Sequence, residues 1–420
     1  MMKKICGIIG AVALVWSFVG VESGYPSGES RARSLGLAGS FTTLASGVEA
    51  PFWNPANLGL PENPGFSFNL FSLGAKFGNN SFSVKDYNHY NGKFLVESDK
   101  QEILSSIPRT GLDLNLDLEA SAVGFSWRQF AVTSQLTGAS FLTLPREPFE
   151  LVLLGNKLDQ SIIVDQANSE ACAYFSLVFS HGRRILRIKE KEIYAGINLK
   201  WIRGMAYQRT AKAQADFITR ETEIEGGANF VSLQAMGGKG YAVDFGLASH
   251  LDDKYTFGLF VLNPLSRIKW NKEAEKKGYE IAVNSFTLES SNNDSVVRED
   301  NYTEELSSFH THLSPVMSFG LSRTTSRLVL AVGWEQGFKN CAGSSKNPRL
   351  SCGFEYYLLS WLPLRSGISL GGKEGFLFAG GLGIDLGSSH LDFGLSTQNA
   401  LLPSHGKGIS LAVTCWFKIK

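Results

Sequence analysis

The sequence predicts an all-β protein, a transmembrane antiparallel barrel of about 14 strands with an amino-terminal plug. Three observations lead there: an export signal at the start, an apolar alternation of period two that recurs along the chain, and segments of roughly ten residues joined by alternately short and long polar connections.

Residues 1–23 read as a signal peptide. Lys3 and Lys4 form a basic head, Ile5 to Val21 an apolar run, and Val21 and Ser23 stand three and one residues before a cut at Gly24. A retained spanning helix is the alternative, but the run is barely long enough and carries Gly7, Gly10 and Gly20. No later stretch approaches the roughly 18 to 20 apolar residues of a spanning helix, so residence in a membrane after export would require a barrel.

Composition agrees. Of 420 residues 43% are hydrophobic, 12% aromatic and only 19% charged, which excludes a disordered chain. The 44 glycines and 29 phenylalanines point to β-structure rather than to a soluble helical enzyme. Loss of Lys3, Lys4 and Glu22 with the leader takes the net charge from +1 to zero, and no basic excess favours nucleic acid.

The clearest strand is at the carboxy end. Ile409, Leu411, Val413, Cys415, Phe417 and Ile419 share one face, and Ser410, Ala412, Thr414, Trp416 and Lys418 the other. Similar alternation recurs upstream and gives strands at 65–74, 113–127, 129–143, 169–181, 191–205, 239–250, 255–264, 311–323, 327–338, 348–358, 363–372, 375–386, 389–398 and 408–419. A two-sheet sandwich would show the same pattern with its apolar face inward; the signal peptide and the strand lengths favour the barrel, which also removes exposed edges. Residues 206–236 fit an outer hairpin, the alternative being a further strand pair and 16 strands. Two long loops carry helix signals. Asp99 can cap a helix through Ile107, stopped by Pro108, and Pro148 opens another to Leu154. Phe149, Val152 and Leu153 form an apolar face on the second, either packing over the mouth or offering access to greasy ligands.

After the leader come Arg31-Ala-Arg-Ser-Leu-Gly-Leu-Ala-Gly-Ser-Phe and Gly47-Val-Glu-Ala-Pro-Phe-Trp-Asn-Pro-Ala-Asn-Leu58. This resembles the amino-terminal segment of the FadL-type long-chain fatty-acid transporter superfamily, including its PorV-like members of type 9 secretion. Trp53, Asn54, Pro55 and Ala56 match the superfamily's core, and Asn57 replaces its usual Gly. Val243-Asp244-Phe245-Gly246-Leu247 and Leu362-Pro363-Leu364-Arg365-Ser366-Gly367 also look like PorV-type repeats, so the resemblance extends across most of the chain. It implies a 14-stranded barrel (65–420) with residues 24–64 plugging its lumen, and it nominates Asn54, Pro55 and Ala56 for plug placement and substrate passage. Pro55 fixes φ and biases Asn54 away from helix, which agrees with a sharp turn at this point.

Glu335, Glu355, Arg365, Asp385 and Asp392 fall on lumen faces. Glu355 and Arg365 flank Ser360 symmetrically, which makes them a cross-strand pair. Asp385 and Asp392 are symmetric about 388–389, which sets two carboxylates face to face with Arg365 as their cation. The network either braces the lumen or relays an ion or substrate. Cys341 and Cys352 are the only cysteines close in sequence, and their spacing leaves a disulfide open. His310 and His312 lack further ligands for a metal. No nucleophile elbow, phosphate loop or metalloprotease helix appears, and no cofactor is implied.

The function expected from the sequence is passive uptake of a hydrophobic, fatty-acid-like molecule across a bacterial outer membrane. Its partners would be outer-membrane lipid, the small-molecule ligand and, during biogenesis, the barrel-assembly machinery. The alternatives are a non-transporting adaptor with secretion partner proteins, as the PorV resemblance implies, and a soluble extracellular β-protein.

Overall fold

Alternating side chains and tight turns close the chain on itself. The computed structural model describes residues 31–165, 167–188, 191–287, 296–341 and 344–419; the expected signal peptide lies outside them. Eighteen strands form one sheet. In chain order they are β1 (Phe66–Asn79), β2 (Leu112–Trp127), β3 (Phe130–Leu144), β4 (Ser161–Val164), β5 (Asn168–Ile188), β6 (Lys191–Thr219), β7 (Ile224–His250), β8 (Tyr255–Trp270) and β9 (Glu275–Phe286). Then follow β10 (Val297–Glu305), β11 (Phe309–Thr311), β12 (Val316–Thr324), β13 (Leu328–Gly337), β14 (Arg349–Leu359), β15 (Leu362–Gly371), β16 (Gly375–Asp385), β17 (Ser389–Gln398) and β18 (Gly408–Ile419).

Fourteen of these make the wall, each antiparallel to its neighbours, and β18 pairs with β1 from Phe66↔Ile419 to Gly78↔Gly408 to close the ring. Every wall strand read from the sequence has its counterpart. The other four, β4, β9, β10 and β11, lie beyond one rim. There β6 and β7 continue past the wall as a long hairpin paired through Thr219↔Ile224, and β4 and β9 flank it while β10 pairs with β9. Residues 206–236 are thus the expected outer hairpin, and the distal strands extend it into a projecting sheet.

Burial follows the alternation. In β18, Leu411 is 54% exposed while Ala412 is 8% and Thr414 1%. The apolar face therefore points outward and the small and polar face inward, the reverse of a soluble β-sandwich. Tight turns gather at one end (the short-turn end). Leu251 to Tyr255 is one, where Asp252 Oδ1 accepts from the amides of Lys254 and Tyr255 at 2.8 Å each, holding this carboxyl below the ordinary range. Most of the long connections gather at the other.

At the long-loop end sit three helices, α3 (Val84–Tyr90), α4 (Glu97–Ser106) and α5 (Glu147–Leu154); α1 (Ala32–Gly36) and α2 (Ala50–Trp53) precede them in the amino-terminal segment. Helix α4 starts before the expected cap. Asp99 is its third residue, and its carboxylate reaches back to the Val96 amide at 3.1 Å. Asp99 closes the amino end of the helix without being the N-cap, because a carboxylate at that third position can satisfy the same orphan donor. Helix α5 ends at Gly155, with φ +80°, as expected.

The register of β16 with β17 differs from the expectation. Asp385 faces His390, and Asp392 faces Gly383, so the two aspartates are not opposite. The turn is two residues tight: the Leu386 amide bonds the Ser389 carbonyl at 2.9 Å, and Gly387 takes φ +80°. A glycine at the first central position favours this tighter turn, which moves the pairing by two residues and keeps every side chain on its face.

Cys341 and Cys352 are both free thiols, the first buried and the second on the outward face. An apolar maleimide should modify Cys352 in the folded protein and spare Cys172 and Cys341 until denaturation. Mass mapping of the labelled peptides checks this, and early labelling of Cys341 would place β13 and its following loop wrongly.

Candidate functional site

The lumen is occupied by the chain's own amino-terminal segment. Residues 31–63 wind through α1, a 3-10 turn at Gly47–Glu49, α2 and a second 3-10 turn at Pro55–Gly59. Gly39, Gly47 and Pro55 interrupt any longer helix. The segment has a small core of its own, Leu37, Phe41, Ala45, Phe52 and Trp53, with Phe41 edge-on to Trp53 at 5.7 Å.

Room for it comes from glycine. Gly182, Gly196 and Gly246 are successive register partners across β5, β6 and β7. Gly258, Gly320 and Gly333 are partners across β8, β12 and β13, Gly353 and Gly367 across β14 and β15, and Gly381 and Gly394 across β16 and β17. A Cβ at Gly196 would stand 2.3 Å from the Ala56 nitrogen, at Gly353 2.7 Å from the Leu37 oxygen, and at Gly394 2.5 Å from the Ala32 oxygen. The wall thus carries an inner belt without side chains, against which the segment lies backbone to backbone.

The Asn-Pro-Ala turn sits on this belt. Asn54 Nδ2 donates to the Leu247 carbonyl at 2.9 Å, and its Oδ1 accepts from the Ala56 amide at 3.1 Å. Asn57, in place of the usual glycine, donates to the Thr42 and Ala45 carbonyls at 3.0 and 2.9 Å and ties the turn to the preceding stretch. From the wall, Asn198 donates to the Pro51 carbonyl at 2.7 Å and to Asp244 at 2.8 Å, and Lys200 neutralises Asp244 at 2.8 Å. Trp53 is buried in the segment's own core.

The inward charges divide into separate groups. Glu355, fully buried, is gripped by Arg33 of α1 at 2.9 and 3.0 Å and by its cross-strand partner Arg365 at 2.6 Å. Arg365 continues to Asp392 at 2.7 Å, and Asp392 accepts from the Trp416 indole at 3.1 Å. Two cations and two carboxylates balance, and each charge finds a partner where water is scarce. Asp385 belongs instead with His390 at 3.4 Å, and Glu335 with Arg349 at 3.2 Å near the long-loop end. Of the five residues expected to form one network, Glu355, Arg365 and Asp392 do so and the other two do not. The missing participant was Arg33; its signal was two arginines, Arg31 and Arg33, inside an apolar motif bound for the lumen. Arg31 stacks on the Phe52 ring at 3.6 Å and donates to Ser121 of β2 at 2.9 Å.

Two hollows adjoin the segment and the wall. One, about 390 Å³, lies between the segment and the short-turn end and is polar, with Arg33, Glu62, Tyr357 and Asp385 among its walls. The other, about 1050 Å³, is almost wholly apolar and is lined by outward-facing Leu73, Leu118, Leu136, Phe393 and Leu411. It lies on the outward face, and its Ala120 edge adjoins an irregular stretch of the wall. Pairing of β2 with β3 lapses between Ala120 and Phe125, where Val123 takes φ +44° and Ser134 Oγ bonds the Val123 carbonyl at 3.2 Å in place of the ladder. The α5 residues Phe149 and Leu153 are half-buried and Val152 is 68% exposed at the long-loop end, far in sequence from the ion pairs.

The closed antiparallel barrel has counterparts of similar fold among solved structures. The chain superposes on the CymD monoaromatic hydrocarbon channel with a TM-score of 0.50 at 11% identity, covering 93% of this chain and 98% of that one. It is also similar to a Pseudomonas aeruginosa FadL homologue (TM-score 0.49, 10% identity, 96% and 100% covered) and to the Ralstonia pickettii toluene transporter TbuX (0.48, 13%, 96% and 100%). By sequence, a family model described as a family of unknown function (DUF5723) matches residues 55–235. No curated protein matches.

Three substitutions test the belt and the ion pairs. Gly196→Val should push residues 54–56 off the wall at a cost of about 1–3 kcal/mol and open the segment to protease while the barrel persists. Gly380→Ala, with its nearest neighbour 4.0 Å away, should be silent. Glu355→Leu, which leaves Arg33 without its partner, should lower stability by about 3–5 kcal/mol in denaturant titration. A loss under 1 kcal/mol would mean that the pairs do not hold the segment.

Proposed function

We propose that the protein is a bacterial outer-membrane channel for small hydrophobic molecules, fatty-acid-like or aromatic, delivered through the side of the barrel. The observation that carries this reading is the lapse of the β2–β3 ladder between Ala120 and Phe125, next to an apolar hollow on the outward face lined there by Leu118, Ala120 and Leu136. An apolar solute leaving through the wall exchanges one greasy surface for another and never crosses the polar hollow at the short-turn end. The amino-terminal segment acts as the plug. Asn54, Pro55 and Ala56 fix its turn, Trp53 its core, and the Arg33–Glu355–Arg365–Asp392 chain its position. Phe149, Val152 and Leu153 on α5 offer the first apolar contact at the outer mouth. The protein supplies a path and no bond-making chemistry, and the hydrocarbon channel of similar fold supports this reading.

A second reading, a surface adaptor for other proteins, has its own support in the projecting sheet. Strand β10 pairs only with β9 among the described residues and leaves its other edge free to accept a strand.

Uptake separates the two. Replacing Asn54 and Pro55 by Ala removes the turn and the bond to Leu247 without touching a wall strand. Cells carrying this variant at normal membrane levels should take up labelled toluene or oleate at a markedly changed rate. Absent uptake in both wild type and variant, together with a protein retained on wild-type cells and shed from variant cells, would favour the adaptor.

A further inference from the structure

The outward face carries one feature that hydrophobic transport does not use. Arg203 of β6 is the direct register partner of Lys239 of β7, Lys239 of Lys269 of β8, and Lys269 of His310 of β11. Arg267 stands beside the row and donates to His310 at 3.1 Å. Cations directly opposite on neighbouring strands, roughly 5 Å apart, repel one another. Among the described residues none of Arg203, Lys239, Arg267 and Lys269 has a carboxylate within salt-bridge distance. Lys239, Arg267 and Lys269 are exposed, and Arg203 is half-buried. Burial first, then the charge of Arg267 and Lys269, holds the His310 imidazole below its ordinary range.

The height of the row is equally specific. Next to it toward the short-turn end come Trp201 and Tyr241, register partners that are 48% and 54% exposed, and beyond them outward Leu199 and Phe245. Lys239 stands about 12 residues before the Leu251 turn, roughly 30 Å along the axis of a barrel with strands tilted about 40°. That is close to the thickness of the apolar band of an outer-membrane barrel, with its aromatic girdle at the rim. The cations therefore meet the membrane surface at the depth of lipid headgroups, and the aromatic pair meets the start of the acyl chains.

We propose that Arg203, Lys239, Arg267 and Lys269 form a binding site for the phosphate groups of an outer-leaflet membrane lipid, whose chains lie along Trp201 and Tyr241. Lipid phosphate relieves the repulsion within the row, and fixes the β6–β8 wall against the membrane. The inference rests on the outer-membrane reading, and the experiment keeps the two apart.

Full-length protein in neutral detergent is mixed with diphosphorylated lipid A, with its dephosphorylated form, or with inorganic phosphate, and its thermal unfolding is followed. Native mass spectrometry reads retained lipid in parallel. Wild type should be stabilised by, and retain, the phosphorylated lipid only. The variant Lys239→Gln/Arg267→Gln/Lys269→Gln should retain it roughly 100-fold more weakly, since each cation near a charged membrane surface contributes several-fold. Equal response to the dephosphorylated lipid or to inorganic phosphate would overturn the proposal, as would equal retention by wild type and variant. The wild-type arms decide the matter even should the variant misfold. Insertion of the same sample into phosphatidylcholine vesicles is scored separately: a protein that inserts and ignores phosphorylated lipid sinks only this proposal, whereas one that stays soluble without detergent sinks the membrane reading as well.

Discussion

The contact between the amino-terminal segment and a ring of glycines is the constraint on which the rest of the structure depends. A barrel of this strand number has an interior wider than inward side chains alone can fill. Here the filling is a stretch of backbone, and backbone can lie flat against a sheet only where the wall lacks a Cβ. The register makes that possible, because Gly182, Gly196 and Gly246 fall side by side on three strands and other glycine groups continue around the wall. Each glycine costs some strand propensity, offset by the close approach it allows.

With the segment so placed, the lumen needs polar partners rather than an oily core. Its inward faces are Ser, Thr, Asn and charged residues, and the turns of the segment leave carbonyls and amides that must be satisfied. Asn54, Asn57 and Asn198 do so by side-chain amides. The alternating Arg33, Glu355, Arg365 and Asp392 answer a harder requirement. A single buried charge would be far costlier than four in balance, and the sharing of Glu355 between segment and wall ties the stability of one to the other. Apolar surface is meanwhile sent outward, which is economical only where lipid or detergent covers it. Beside the outward hollow the pairing of β2 and β3 lapses, where a glycine, Gly124, and a left-handed Val123 break the ladder.

Much of this was legible before the structure. Strict alternation marks each wall strand because every one of them separates two different environments, and the six apolar positions of β18 are the plainest case. The pairing of Glu355 with Arg365 followed from symmetry about a short turn. The same reasoning failed for Asp385 and Asp392, since a hairpin's center depends on which residue takes the left-handed conformation, and Gly387 gives no sign of this in the alternation. Cys341 and Cys352 were ambiguous for a related reason: nearness in sequence does not say that one faces inward and the other outward.

The sequence by itself determined most of the wall: where its strands run, which face is greasy, where short turns alternate with long loops, and that an Asn-Pro turn follows the first arginines; that residues 206–236 extend an existing hairpin and add no further wall strands was settled by the structure. These are local properties, set by side-chain period and turn chemistry. Tertiary structure alone decided that Arg33 reaches Glu355 across more than three hundred residues, that the wall glycines align into a belt, and that Arg203, Lys239 and Lys269 stand in a row. All three depend on strand register summed around a closed ring. A shift of two residues anywhere keeps every face unchanged and moves every partner, so the pattern that reveals the strands is silent about who meets whom.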